Sequence, residues 1–429
     1  MNSLDNKLFQ SSSGSCDNSY INGKDKEISN KDESINCSCS DLFFLKKSKS
    51  QNAEKYSNIE DNKSDLDKKL EVKREISQSH NKIRSGTCSN NSKLSINSFS
   101  LILPIGNGGY GSVALYKKIS TGDLYAIKSV DISKIKERKL SCTLKQEQKI
   151  LKEINSDYLV NSYFIFKDKS YFYFAMEYLP CGDVYTLISS IIIPEKIIQL
   201  IIAETILGIH YLHNMNIIHH DIKPANILIT NNGHFKLSDF GLSKTLQEDN
   251  VNKNKNAKNF LDFVTNKNDS SDSDDDEKSN KNEAVGTLDY MAPELFTDEY
   301  PETSGIDYWA VGVVLYELYS FRVPFEGETA EKIKENIIKM NINWANLMTQ
   351  EIKEKYKNVN NGIDLIKKFL IKNPYDRWGD KNLEEIKQHP FFMGFNWKEI
   401  QKIRNKCLLD HLKKLANGIN KNIKEALNK

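Results

Sequence analysis

Residues 217–229 read IIHHDIKPANILI, and residues 236–241 read KLSDFG. Four polar side chains interrupt these apolar stretches, namely those of Asp221, Lys223, Asn226 and Asp239. A carboxylate can accept the proton of a hydroxyl, a lysine can offset charge on a moving phosphoryl group, and Asp with Asn supplies hard oxygen ligands for magnesium. The stretches therefore predict phosphoryl transfer, with Asp221 and Lys223 as catalytic residues. Asn226 and Asp239 are the predicted ligands of Mg²⁺.

A glycine-rich stretch, IGNGGYGSV, lies upstream at residues 105–113. Its GxGxxG pattern stands between two strand-like segments, whereas a dinucleotide-binding fold would continue into a helix. This context favours a hairpin lid whose backbone amides approach phosphates, although this stretch alone is also compatible with a hairpin that binds nothing. The candidate nucleotide-binding residues here are Ile105, Gly106, Gly108, Gly111 and Val113.

The strand after the glycine-rich stretch ends in a lysine that follows three apolar residues, Tyr125, Ala126 and Ile127. This residue, Lys128, is placed to reach the α- and β-phosphates of a nucleotide. Such an ammonium needs a carboxylate to hold it, and Glu147 on the following helical segment is the preferred partner, with Glu153 as the alternative.

Together with Ala292-Pro293-Glu294, these motifs resemble the signature set of eukaryotic protein kinases over about residues 99–400. The resemblance implies an α+β bilobal kinase fold, ATP and Mg²⁺ as cofactors, and protein substrates. Lys223 and Gly286-Thr287 resemble the serine/threonine class. The resemblance further implies a nucleotide pocket that includes Ala126, Met176, the backbones of Glu177 and Leu179, and Asp183 near the ribose.

Four segments, 239–244, 286–294, 305–312 and 376–379, resemble the AGC group of kinases, nearest its Greatwall and microtubule-associated serine/threonine kinase branch. By that likeness Glu294 and Arg377 form a buried ion pair, and Asp307 anchors the catalytic loop.

The sequence also departs from that group. His220 and Ala225 replace an arginine and a carboxylate, and no Phe-x-x-Phe motif follows residue 400. Glu283 stands where these kinases carry a phosphorylated residue. We therefore expect Glu283 to replace the phosphate by contacting Lys244 and His220, with phosphorylation of a serine farther upstream, such as Ser279, as the alternative.

Composition divides the chain into three parts. Residues 1–97, rich in Ser, Asn and Lys, are expected to be a disordered extension. Residues 98–394 form the expected kinase domain, with an N-lobe to about 179, a C-lobe from about 180, and a disordered insertion at about 246–283 in the activation segment. Residues 395–429 show helical apolar spacing, which predicts an amphipathic tail that packs on its own lobe or binds a regulatory partner.

Charge and hydropathy narrow the class of protein. The 429 residues carry 60 basic and 58 acidic side chains, which gives no electrostatic reason to expect a nucleic-acid partner. No apolar run is long enough for a membrane span or a signal peptide, so an intracellular, cytoplasmic or nuclear, location is expected. The prediction is a non-specific serine/threonine protein kinase, and the alternative is a pseudokinase that acts as a scaffold.

Overall fold

The protein is described by a computed structural model in which the placed residues are 94–108, 111–137, 141–246 and 288–402. Glu283 and almost all of the N-terminal extension, the insertion and the C-terminal tail lie outside these residues. The described residues form a sheet-dominated lobe followed by a mainly helical lobe, which confirms the α+β bilobal kinase fold.

The N-lobe is built on a five-stranded antiparallel sheet with the strand order β1-β2-β3-β5-β4. The strands are β1 (Phe99–Gly108), β2 (Gly111–Lys118), β3 (Leu124–Asp131), β4 (Ser162–Lys167) and β5 (Tyr171–Glu177). Two helices, α1 (Ile132–Glu137) and α2 (Ser141–Glu153), connect β3 to β4. Each strand overlaps a β-like apolar run of the sequence, and α2 overlaps the segment at about 142–154 that shows helical apolar positions.

The two faces of this sheet have different roles because side chains alternate along a strand. One face carries an aromatic cluster of Phe99, Tyr125, Phe164, Phe166 and Tyr173. The opposite face carries Lys128, with Val113 paired to it on β2. The aromatic face packs into a small hydrophobic core of the N-lobe. The face that carries Lys128 therefore faces the cleft between the lobes.

The C-lobe is centred on two long buried helices, α4 (Glu195–Asn214) and α5 (Gly305–Ser320). The side chains of α5 are buried from Ile306 to Tyr319, as expected of a helix that is apolar on all sides. Phe321 then turns into the left-handed region with φ 60° and ends it. The shorter helices around this centre are α3 (Val184–Ser190), α6 (Ala330–Lys339), α7 (Gln350–Lys355), α8 (Val359–Phe369) and α9 (Leu383–Gln388).

Two small antiparallel pairs of strands lie where the C-lobe meets the cleft. They are β6 (Ile217–Ile218) with β9 (Lys244–Thr245), and β7 (Ile227–Ile229) with β8 (Phe235–Leu237). The loop from β6 to β7 and the loop from β8 to β9 contain the two deciding stretches of the sequence. The pairing of these strands therefore brings the two loops together.

Candidate active site

Lys128 is held by two carboxylates that come from different lobes. Its Nζ lies 2.7 Å from Glu147 Oε1 on α2 and 2.8 Å from Asp239 Oδ1 in the loop after β8. Burial alone would lower the pKa of Lys128, but Asp239 and Glu147 raise it, so the ammonium stays charged. The partner on the helix is thus Glu147, and Glu153 takes no part in this ion pair.

Residues of the loop between β6 and β7, here called the catalytic loop, form a second polar cluster. Asn226 Nδ2 donates to Asp221 Oδ2 at 2.8 Å and to the Asp221 carbonyl at 2.7 Å, while Lys223 Nζ lies 3.0 Å from the same carboxylate oxygen. Asp221 and Asn226 are 7% and 8% exposed. The arrangement orients the Asp221 carboxylate and places a cation beside it, as proton abstraction during phosphoryl transfer requires.

The backbone of this loop is held by Asp307 on α5. Its two carboxylate oxygens accept the N–H groups of His219 at 2.8 Å and His220 at 2.9 Å. His220 has φ 69°, a conformation that is unfavourable for a non-glycine residue. The expected anchoring role of Asp307 is therefore confirmed, and it fixes the residue that precedes Asp221.

Asp239 and Asn226 fit a magnesium ion. Because the Asn226 amide nitrogen is committed to Asp221, the amide oxygen is the group that can meet a cation. The Asp239 side chain is 48% exposed, and Lys128 lowers its pKa against the effect of burial, so it is an anionic oxygen donor. One carboxylate and one amide oxygen match the preference of Mg²⁺, which usually takes further ligands from substrate phosphates. When bound, Mg²⁺ would neutralise charge on those phosphates.

Asp239 also has backbone geometry that suits this task. Its φ is 61°, and its Oδ1 accepts the N–H of Gly241 at 3.3 Å. The local hydrogen bond offsets part of the cost of the left-handed conformation. The turn keeps the carboxylate directed at Lys128.

Several of the residues implied for the nucleotide pocket lie on the cleft face of the N-lobe sheet, on the inner strands β2, β3 and β5. On the cleft face Ala126 pairs with Met176, and Val113 pairs with Lys128. The Glu177 N–H donates to the Asn161 carbonyl at 3.0 Å. A hydrogen bond between the Glu177 backbone and a nucleotide base would therefore have to be accepted by the Glu177 carbonyl oxygen. Leu179 follows in the same connection.

Asp183 has a clear structural task beside any contact with a ribose. Its Oδ1 accepts the Thr186 N–H at 2.7 Å and so caps α3 at its N-terminus. A ligand contact through the other carboxylate oxygen, Oδ2, would leave this cap intact.

The glycine-rich hairpin spans the end of β1 and the start of β2, with Gly106, Gly108 and Gly111 among the described residues. A Cβ at Gly106 would meet no atom within 4 Å, whereas a Cβ at Gly111 would lie 2.0 Å from the Ser129 carbonyl oxygen. Gly111 is thus required for the close approach of β2 to β3. Ile105 is 41% exposed at the start of the turn.

A buried ion pair ties the segment before α5 to the C-lobe, as the sequence predicts. Arg377 donates from both terminal nitrogens to Glu294, with distances of 2.7 and 2.9 Å, and both side chains are fully buried. The bidentate geometry makes it a fixed structural contact.

Three charged contacts around this site were not expected from the sequence. His213 lies between Asp307 and Asp380, Glu177 accepts Lys236 at 2.8 Å, and Glu302 lies between His220 and Lys244. Each joins residues that are 58 or more positions apart, and His213, Asp380 and Glu302 belong to none of the motifs quoted above. Only the position of His213, eight residues before Asp221 in a buried helix, offers a local signal.

The arrangement agrees with comparisons with known proteins. The model of the protein kinase domain family matches residues 99–392. The chain belongs to the protein kinase family. Among similar proteins, the probable serine/threonine protein kinase IRE of Arabidopsis thaliana is 36% identical over 310 residues, which are 71% of this chain and 26% of that protein.

Two further relatives of this kinase come from a fungus and a nematode. The serine/threonine-protein kinase CBK1 of Pneumocystis carinii is 35% identical over 76% of this chain and 66% of its own length. The serine/threonine-protein kinase sax-1 of Caenorhabditis elegans is 33% identical over 72% of this chain and 65% of its own length. The chain spans about a quarter of the Arabidopsis relatives, between 23% and 29%. Within the described residues of the kinase, no helix has the length and hydropathy needed to cross a membrane.

Proposed function

We propose that this chain transfers the γ-phosphate of ATP to serine or threonine hydroxyls of protein substrates, with Mg²⁺ as the metal. The observation that carries the proposal is the position of Lys128, which contacts Glu147 of the N-lobe and Asp239 of the C-lobe at once. This contact sets a phosphate-binding cation beside a magnesium ligand.

The reaction follows from the two clusters. The Asp221 carboxylate orients the substrate hydroxyl and accepts its proton as the hydroxyl oxygen bonds to the γ-phosphorus. The bond from that phosphorus to the bridging oxygen of ADP breaks, and Lys223, 3.0 Å from Asp221, offsets the charge that develops. Catalysis of this kind consists of positioning and charge stabilisation.

The finer assignments rest on narrower support. The AGC group and its Greatwall and microtubule-associated serine/threonine kinase branch are proposed from the motif likeness alone, because the names of the relatives do not single out that branch. An intracellular location and a protein partner for the C-terminal tail are likewise proposals from the sequence. The non-specific serine/threonine kinase class is supported by the names of the relatives and by Lys223.

The test is transfer from labelled ATP to a generic protein substrate by the full chain, followed by identification of the labelled amino acid. Asp221→Asn and Asp239→Ala should each lower kcat by about a hundredfold or more, because each removes a group on which the reaction depends. Lys128→Met should do the same. Glu335→Gln, which removes only an exposed ion pair with Lys332 and Lys339 on α6, is the matched control and should leave kcat unchanged.

The outcome also separates this proposal from a scaffold function. A pseudokinase would give no transfer in the wild-type chain under these conditions. Label on tyrosine would contradict the serine/threonine class. Folded Asp221→Asn with the kcat of the wild type would contradict the mechanism.

A further inference from the structure

Glu302 lies between two basic side chains next to the catalytic loop. Its Oε1 is 2.8 Å from His220 Nε2, and its Oε2 is 3.2 Å from Lys244 Nζ. The Glu302 side chain is 22% exposed, so water screens these contacts less than it screens a surface pair. None of the steps of the reaction described above uses this residue.

The two basic residues, His220 and Lys244, belong to the segments that contain the proposed catalytic and metal-binding residues. His220 directly precedes Asp221, and Lys244 begins β9, five residues after Asp239. Strand β9 pairs with β6, where Ile218 is opposite Lys244. The Glu302 carboxylate therefore forms charged contacts with the loop that carries Asp221, the proposed base, and with the segment that follows Asp239, the proposed metal ligand.

The position of Glu302 is itself fixed from both sides. Upstream, Glu294 is held by Arg377 in the buried ion pair. Downstream, Asp307 accepts two backbone N–H groups of the catalytic loop. Glu302 thus extends from a segment anchored at two points, which limits the motion of its carboxylate.

The charge balance of the cluster agrees with this geometry. Burial alone would raise the pKa of Glu302, but His220 and Lys244 lower it to about 2. The group is therefore a carboxylate at neutral pH. By contrast, Glu299, three residues earlier, forms a pair with Lys372 in which the side chains are 46% and 37% exposed.

We propose that Glu302 is a positioning residue for phosphoryl transfer, which holds the catalytic loop and the segment after Asp239 together in place of a phosphate on the activation segment. The sequence suggested this task for Glu283, which lies outside the described residues. His220 and Lys244, the two groups expected to receive Glu283, both contact Glu302. Because this carboxylate already matches both, the kinase should not need a phosphate at this place. The inference rests on the proposed kinase function.

The first experiment compares kcat and the KM for ATP of the full chain with those of Glu302→Gln. We expect kcat to fall about tenfold or more with little change in KM, because a charge-assisted contact that positions the loops is lost while the nucleotide pocket is intact. Glu299→Gln is the matched control and should behave as the wild type. Exchanging the charges, with Glu302→Lys and Lys244→Glu in one chain, should restore a large part of kcat.

The second experiment treats the wild type with a protein phosphatase before the assay, and it should keep its kcat. Full activity of Glu302→Gln, or inactivation of the wild type by the phosphatase, would overturn the assignment. An inactive wild type would refute the proposed function itself. In that case amide hydrogen exchange still tests whether Glu302 positions the two segments. The amides of residues 217–222 and 240–246 should exchange faster than in the wild type in Glu302→Gln, but not in Glu299→Gln. Equal exchange in both would refute the positioning role.

Discussion

His213 should make the stability of the C-lobe depend on pH. Its Nε2 lies 2.8 Å from Asp307 and its Nδ1 lies 2.6 Å from Asp380, with only 4% of the side chain exposed. Burial alone would lower the pKa of His213, but the two carboxylates raise it to about 9. The rise from an ordinary histidine pKa of about 6.5 to about 9 corresponds to about 3 kcal/mol of folding free energy.

Whether stability rises or falls with pH depends on which state, folded or unfolded, binds the His213 proton more tightly. Since the folded state has the higher pKa, the stabilisation is complete below about pH 6.5 and is lost as the pH rises through about 9. His213→Gln removes the titrating group. The difference in unfolding free energy between the wild type and this variant should therefore shrink by about 3 kcal/mol between about pH 6 and about pH 9.5.

Urea unfolding followed by tryptophan fluorescence measures this difference, because all four tryptophans lie in residues 309–397 of the C-lobe. Tyr308→Phe is the control, since it removes a hydrogen bond of 2.8 Å to the same Asp380. The pKa of Tyr308 is raised well above its usual value, so the cost of this change should be equal at both pH values. A His213→Gln difference that does not change with pH would refute the charged bridge.

Three other predictions follow from buried charges and from composition. Glu294→Gln should destabilise the protein by about 3–5 kcal/mol, seen as a lower Tm, because it leaves the Arg377 charge buried and without its carboxylate. Burial and Glu317 raise the pKa of Asp289 to about 7, so ionisation of Asp289 destabilises the folded state. Asp289→Asn should therefore raise the free energy of unfolding by an amount that grows as the pH rises to about 7 and is constant above it. An equal gain in unfolding free energy at pH 5 and pH 8 would contradict this. Deleting residues 252–281 should leave kcat unchanged, since their polar composition offers little apolar surface to bury; an unfolded product would show that the segment packs on the domain.

Much of the fold was determined by local patterns in the sequence. Short β-like apolar runs predicted strands β1 to β5, at residues 101–105, 113–116, 124–127, 163–166 and 171–176. Helical apolar spacing over 142–154, 197–212 and 309–320 predicted α2, α4 and α5, because each element has to bury its own apolar face. The start of α5 was less well predicted than its end, which lies at Ser320 as the spacing from Trp309 to Ser320 indicated. The helix begins at Gly305, four residues before the predicted start, since its entire circumference is buried and shows no amphipathic boundary.

The groups of the candidate site were also evident in the sequence, because chemistry constrains the residue types at short spacing. Asp221, Lys223 and Asn226 stand within six positions, and Asp239 follows them closely. The order of elements placed the partner of Lys128 on α2, and the structure identifies Glu147 as that partner, since Glu153 lies on the same helix. The sequence therefore predicted which side chains the fold brings together, and their roles in the reaction stay predictions.

Only the tertiary structure decided which distant charges meet. The sequence suggested Glu283, which lies outside the described residues, as a partner of Lys244 and His220. It gave no sign of Glu302, which the fold places beside both, 58 positions beyond Lys244. Likewise, Asp307 meets His213 because α5 packs against α4, and Asp380 reaches the same ring from the segment directly before α9. The position of a carboxylate in the sequence does not indicate a distant partner. A long-range salt bridge forms where two packed segments approach each other, and the residue spacing within either segment does not determine that approach.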